Sequence, residues 1–305
     1  MKVLVLEELG IQRSEFISAA SGNEVIWFDE EFDKSKIEVI VTVKTKLGKE
    51  ILELYPNLKI IAVAFTGYDS VDLEYCRNNN IAVYNVPAYS TNSVAELTIA
   101  LAISLLREIP KGNDIIRKGQ WNLGKAGIEL FGKTVGICGT GTIGIRVAQI
   151  FKVLGCNIIG WSRTQRKEFI DLGGKYVDSL EELCGSSDIV SIHVPANSGT
   201  KALIGKEQLN KMKPSAHLIN TARGPIVDEN ALIQTLKEGK IAGAGLDVYT
   251  VEPVQPDNPL LKLDNVILTP HIAFKTEEAL KRRAEITIQN INSYYKGSTV
   301  NRVDN

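Results

Sequence analysis

Short apolar runs at residues 3–6, 25–28, 39–43, 60–65 and 81–86 are separated by amphipathic stretches at 15–20, 48–55 and 72–78. Runs this apolar predict strands buried on both faces, and their alternation with helical patterns predicts a parallel, doubly wound sheet. The pattern changes at Ser93. Ser93-Val94-Ala95-Glu96 has capping-box spacing. The 97–107 stretch that follows is apolar nearly all round, which predicts a helix buried between domains or subunits. A polar, glycine-containing stretch, 111–132, leads into a second βα series with strands expected at 134–138, 157–161, 189–193, 217–220, 243–248 and 266–268. A final helix, about 276–295, has no domain of its own and is expected back against the first. The chain is thus read as α/β: a discontinuous domain of residues 1–98 plus 275–305, and a second domain of residues 99–274.

Length and composition narrow this picture. The 305 residues, 44% hydrophobic, suffice for two cores. The 35 basic residues nearly balance the 36 acidic ones, so no long-range field favours nucleic acid or an anionic membrane. Met1-Lys2-Val3-Leu4-Val5-Leu6 runs straight into Glu7-Glu8 and reads as a strand rather than a secretion signal. The longest apolar run is about half the ~20 residues of a membrane span. Cys76, Cys138, Cys156 and Cys184 are scattered without a C-x-x-C pair, which predicts reduced thiols and a cytoplasmic location. No metal site is expected.

The first chemical signal is Gly139-Thr140-Gly141-Thr142-Ile143-Gly144, between an apolar strand and an amphipathic helix. A lone G-x-G-x-x-G is weak, but this strand–turn–helix context is the one a dinucleotide site needs. Gly139 permits the tight turn, Gly141 lets the backbone approach a pyrophosphate, and Gly144 allows close helix–strand packing. The helix start then presents amides to the phosphates. After the next strand, where an NAD site places an acidic residue, the chain reads Ser162-Arg163-Thr164-Gln165-Arg166-Lys167. A carboxylate there would repel a ribose 2′-phosphate, whereas Ser162, Arg163 and Thr164 can bind one. NADP(H) is therefore favoured. NAD(H), with Arg163 stacked beside adenine, is the other reading.

Three histidines are present: His193, His217 and His271. His217 lies within an apolar strand and reads as a core residue. His193, before Pro195, reads equally as a cofactor contact or as packing. His271 follows a strand and Thr269-Pro270, at the carboxyl edge where open α/β sheets bind ligands. Arg223 and Glu252 follow two other strands and reach the same edge, although taken singly each also reads as a solvated or ion-paired side chain. Together the three suit hydride transfer to a 2-oxo acid. Arg223 grips the carboxylate and polarises the carbonyl. His271 gives a proton to the carbonyl oxygen, and Glu252 favours and orients the charged imidazole.

At these residues the chain resembles the D-isomer-specific 2-hydroxyacid dehydrogenases. The resemblance runs through Phe65-Thr66-Gly67-Tyr68-Asp69, Leu218-Ile219-Asn220-Thr221-Ala222-Arg223-Gly224, Gly245-Leu246-Asp247-Val248-Tyr249, Glu252-Pro253 and Pro270-His271-Ile272. It implies a Rossmann cofactor domain inserted in a flavodoxin-like substrate domain, with Arg223, Glu252 and His271 catalytic. It implies that the backbone at Phe65, Thr66 and Gly67 holds the substrate carboxylate. Cofactor contacts are implied at Thr91, Thr142, Ile143, Ser162, Arg163, Thr164, His193, Pro195, Thr200, Thr221, Ala222 and Asp247, the last orienting the nicotinamide carboxamide. A homodimer is also implied. The missing acid after the second strand is similar to NADPH-using glyoxylate and hydroxypyruvate reductases. No Lys or Arg stands at 64–68 to receive a substrate phosphate, although Lys275 could supply charge. The alternative from another class is a dinucleotide-sensing binding protein of corepressor-like type, without significant turnover.

Overall fold

The computed structural model describes residues 1–304. The chain divides into two compact units, Met1–Ser90 with Lys275–Asn305, and Thr91–Phe274.

In the first unit the chain runs β1 (Lys2–Val5), α1 (Arg13–Ala19), β2 (Glu24–Trp27), β3 (Val39–Thr42), α2 (Lys49–Leu52), β4 (Ile60–Val63), α3 (Leu73–Asn78) and β5 (Ala82–Tyr84). The strands form one parallel sheet in the order β2-β1-β3-β4-β5, the flavodoxin-like order. Every residue of β3 and β4 is buried, which is why the sequence shows continuous apolar runs there rather than alternation. At the sheet edge, β2 exposes Glu24. α3 starts at Asp72, whose side chain accepts from the Tyr75 amide.

The second unit opens with α4 (Thr91–Leu106) and α5 (Ile109–Arg117). Helix α4 starts at Thr91, so Ser93 lies inside its first turn and not at the cap expected from the S-x-x-E spacing. The boundary expected at 98/99 would cut this helix. The division falls instead at 90/91, because α4 as a whole packs against the second unit's sheet and its helix 142–153. The 111–132 stretch is not wholly irregular, since α5 begins with Pro110 in its first turn, a position that Pro suits. It buries no side chain, and Gly112 and the polar residues around it masked the helix in the sequence.

The series continues with β6 (Thr134–Cys138), α6 (Thr142–Val153), β7 (Asn157–Trp161), α7 (Lys167–Asp171), β8 (Lys175–Tyr176), α8 (Leu180–Ser186), β9 (Ile189–Ile192), α9 (Lys206–Lys211), β10 (His217–Asn220), α10 (Glu229–Lys237), β11 (Gly243–Leu246) and β12 (Val266–Leu268). The seven strands are parallel, in the order β12-β11-β10-β9-β6-β7-β8. Strand order reverses at β6, so the carboxyl ends of β6 and β9 flank the switch point where such sheets bind nucleotides. One face packs Ile99, Ala102, Val147, Phe151 and Phe169. The other packs Leu183, Leu209, Leu232 and Leu236.

The chain then returns to the first unit as α11 (Glu277–Tyr294), with Thr276 accepting from the Ala279 amide at its N-cap. Leu280, Ala284, Ile288 and Ile291 form the apolar stripe buried by this helix. All four cysteines are free and buried. Among the described residues no helix is long and apolar enough to cross a membrane.

Candidate active site

Three neighbouring strands, β10, β11 and β12, deliver Arg223, Glu252 and His271 from the loops that leave their carboxyl ends. Asn220, the last residue of β10, is buried and shapes the first loop. Its Nδ2 donates to the carbonyl of Arg223 at 2.9 Å, and its Oδ1 accepts from the Ala222 amide at 3.0 Å. The Arg223 guanidinium donates through Nη1 to the Ala222 carbonyl at 2.8 Å. Gly224 follows, and here glycine is obligatory. A Cβ would lie 1.9 Å from the Tyr249 carbonyl carbon and 2.0 Å from its oxygen. The Arg223 loop is therefore pressed directly against the backbone of the loop that carries Glu252.

That second loop is braced from within. The Tyr249 amide donates to Glu252 Oε1 at 3.1 Å. The buried Tyr249 hydroxyl donates to the Thr269 carbonyl at 2.9 Å and, less closely, to the Leu246 carbonyl at 3.2 Å. Burial pushes the Tyr249 pKa up to about 12, so it stays a phenol that can donate. Glu252 Oε2 lies 2.6 Å from His271 Nδ1. A carboxylate only accepts, so Nδ1 carries the hydrogen and Nε2 is left as the atom that exchanges protons. The His271 side chain is 13% exposed, enough to meet a ligand while largely shielded from bulk water.

His271 occupies the left-handed region, with φ 54°. A non-glycine residue there needs outside support, and Asp247 gives it. Its fully buried carboxylate accepts from the Thr269 hydroxyl at 2.6 Å, the Ile272 amide at 2.9 Å and the Ala273 amide at 2.8 Å. The chain is thus held on both sides of His271. The resemblance implies a role for Asp247 toward the nicotinamide; its carboxylate here also braces the loop that aims the imidazole. The supporting roles of Asn220 and Tyr249 were missed. Both stand inside recognisable motifs, but nothing in a linear spacing says which backbone groups a buried amide or phenol will reach.

The residues expected from the sequence to meet a dinucleotide sit farther along the same edge. The helix α6 begins at Thr142, with Gly141 as its N-cap and no side chain capping it, so the first-turn amides, Thr142, Ile143 and Gly144 among them, have no partner within the helix. A Cβ on Gly141 would meet no atom within 4 Å, so the turn faces open space. At Gly144 a Cβ would lie 2.0 Å from the Gly139 carbonyl oxygen, so the helix closes on the strand only because a hydrogen stands there. Open space over unpaired amides at a helix N-terminus fits a pyrophosphate. His193 packs its backbone against Gly139 and sets Nε2 2.7 Å from the Ser191 hydroxyl. Burial pushes its pKa down to about 3, so the ring is neutral.

Several expected cofactor contacts use their side chains internally. Thr200 donates to the Pro195 carbonyl at 2.6 Å and accepts from the Asn197 amide at 2.9 Å, closing the turn after His193. Thr98 spends its hydrogen on the Val94 carbonyl, so Thr221 is the donor in the buried 2.8 Å bond between the two hydroxyls. Ser162 is half-buried, and Arg163 and Thr164 are exposed beyond β7. Thr91 is the first residue of α4. In the first unit, Phe65, Thr66 and Gly67 follow β4, and the Thr66 hydroxyl donates to the Val86 carbonyl at 3.0 Å. His217 is buried within β10, as its apolar surroundings in the sequence suggest.

The carboxyl edge of this sheet thus carries a glycine-rich turn suited to a dinucleotide and, beside an arginine loop, a carboxylate–imidazole pair able to move a proton. The family described as D-isomer specific 2-hydroxyacid dehydrogenase, NAD binding domain, matches residues 99–273. The chain belongs to that family. It is 39% identical over 307 residues to D-3-phosphoglycerate dehydrogenase of Methanocaldococcus jannaschii, covering 99% of this chain but 57% of that protein. It thus spans little more than half the length of that relative. To glyoxylate reductase of Thermococcus litoralis it is 43% identical over 272 residues, covering 86% of this chain and 82% of that protein. Among solved structures it is similar to D-lactate dehydrogenase of Aquifex aeolicus complexed with NAD and lactic acid. The TM-score is 0.89 at 32% identity, with 99% of each chain covered.

Proposed function

We propose that this chain reduces a small 2-oxo acid, such as glyoxylate or hydroxypyruvate, to the D-2-hydroxy acid, with NADPH preferred over NADH. The observation that carries the reading is the 2.6 Å contact between Glu252 Oε2 and His271 Nδ1, on the sheet edge that also presents Arg223. When bound, the dihydronicotinamide supplies the hydride. Arg223 binds the substrate carboxylate and draws electron density from the carbonyl. His271 passes the Nε2 proton to the carbonyl oxygen as carbon 2 is reduced, and recovers it in the reverse direction. Glu252 stabilises the imidazolium and holds Nε2 in place. Asp247 keeps the turn that aims the ring.

Thr142, Ile143 and Gly144 at the start of α6 would hold the pyrophosphate, beside Gly139 and Gly141. His193, Pro195 and Ala222 would line the nicotinamide half, with Thr91, Thr200 and Thr221 shaping it. Ser162, Arg163 and Thr164 support NADPH, because the 162–167 segment contains cations and hydroxyls and no acid. The absence of Lys or Arg at 64–68 argues against a phosphorylated substrate, while the relatives include both glyoxylate reductase and D-3-phosphoglycerate dehydrogenase.

We also propose a homodimer formed through the second unit, where Trp121 is 90% and Phe131 76% exposed and Ile109 and Ile116 are exposed as well. Light scattering at micromolar concentration tests it, a monomer being the contrary result. Steady-state oxidation of NADPH and NADH against a panel of 2-oxo acids tests the main reading. Turnover of a small 2-oxo acid, faster at low NADPH than at low NADH, is expected. Tight cofactor binding without turnover of any acid would favour a nucleotide-sensing role instead.

A further inference from the structure

Tyr176 stands on the edge strand β8, outside every motif of the family resemblance, and its hydroxyl sits at a junction. It lies 2.6 Å from the hydroxyl of Thr140, the second residue of the glycine-rich turn, and it accepts from the Arg166 amide at 2.8 Å. Arg166 closes the segment that begins at Ser162. One phenol thus ties the glycine turn to the far end of that segment. The near end is tied as well, since the Gly139 amide donates to the Trp161 carbonyl at 2.8 Å.

The packing beneath makes this tie stiff. Phe169, fully buried, fills space left by Gly160 and Gly174. A Cβ on Gly160 would lie 2.6 Å from the Phe169 ring, and one on Gly174 would lie 2.5 Å from it. Burial of this ring roots α7 just after Arg166. The Tyr176 ring packs on Phe169, with centroids 4.9 Å apart. Only the position of the hydroxyl remains to be fixed, and the buried Thr140 and the Arg166 amide fix it.

We infer that Tyr176 is the positioning residue that sets the pose of Ser162, Arg163 and Thr164 and so the cofactor discrimination of this enzyme. The inference rests on the proposed placement of the adenosine ribose beside that segment. Removing the hydroxyl leaves the Thr140 hydroxyl buried without this partner and frees the Arg166 amide to turn toward water. Arg163 keeps its charge while the backbone segment that carries it is held less firmly, and a directional grip on a 2′-phosphate suffers more from that than contact with a 2′-hydroxyl.

The test is a direct titration of NADPH and NADH by calorimetry on the whole protein, for wild type, Tyr176→Phe and Arg163→Asp, alongside steady-state KM. Tyr176→Phe is expected to weaken NADPH roughly three- to tenfold, the range one hydrogen bond supports, with NADH changed less than about twofold and kcat preserved. Thr140→Val, which removes the same bond from the other side and keeps the ring, should act in the same direction. If both variants leave both affinities unchanged, or weaken NADPH and NADH equally, the inference is overturned. Failure of the NADPH reading looks different: wild type would then favour NADH, and Arg163→Asp would leave the ratio unmoved. The inference is judged in that case on NADH, which Tyr176→Phe must weaken selectively. An equal change in both cofactors again overturns it.

Discussion

Glu252 and His271 share a 2.6 Å hydrogen bond between Oε2 and Nδ1, although β12 and the loop between it and β11 separate them in the chain. The pair is built from both sides. The Tyr249 amide holds the other carboxylate oxygen, and Asp247 clamps the amides just beyond the imidazole. Its orientation is therefore a property of the folded second unit.

Replacing Glu252 by Gln removes the negative charge facing Nδ1 while keeping the shape. The charge-assisted bond that holds Nδ1–H is then weakened, so the ring is oriented less firmly and Nε2 is a poorer proton donor. kcat/KM for reduction is expected to fall by about one to two orders of magnitude, with cofactor affinity by titration unchanged. Near-normal turnover would show that the pair has no role in proton transfer.

Arg223→Ala removes carboxylate binding and carbonyl polarisation at once. A loss of about two to three orders of magnitude in kcat/KM for the 2-oxo acid is expected, the scale of one preorganised charged donor. Arg223→Lys should recover only part, because a point charge cannot replace a planar fork. Affinity for NADPH measured by titration should stay within about twofold. Near-normal activity of the alanine variant would contradict the assignment.

The buried His217 gives a pH-dependent stability whose sign follows from its surroundings. Burial, with a smaller contribution from Lys125, pushes its pKa from 6.5 down to about 4, and its Nδ1 has no hydrogen-bond partner. The folded state keeps the ring neutral, so between about pH 6.5 and 4 the unfolded chain binds the extra proton. Stability is present above that window and is lost as pH falls through it, by up to about 1.4 kcal/mol per pH unit for one histidine. Urea unfolding at pH 7 and pH 5 should show the loss, and His217→Leu should make it smaller. An equal slope in the variant would place the effect elsewhere.

Much of this architecture was legible in the sequence because parallel strands covered on both faces leave unbroken apolar runs, as at β3, β4 and β9. The glycine turn was legible because Gly144 answers a steric demand that no other residue meets. Elements that bury little were not. The helix α5 hides behind Gly112, and β8 has two residues, one of them exposed. The Ser93 capping-box spacing put the helix start three residues too late, since the helix begins at Thr91 and Ser93 lies within its first turn. Arg223, Glu252 and His271 could be expected on one edge because each follows a strand of a parallel sheet, but the contact between them could not be read from spacing. The roles of Asn220, Asp247 and Tyr176 depend on hydrogen bonds between segments distant in sequence, which no local pattern encodes.

The most direct measurement compares kcat/KM for glyoxylate reduction between wild type and His271→Asn, at matched cofactor saturation and neutral pH. Asparagine offers a hydrogen bond but cannot carry the proton. The account predicts a fall of about two to four orders of magnitude, with NADPH affinity by titration unchanged. A variant that turns over at close to the wild-type rate would contradict it.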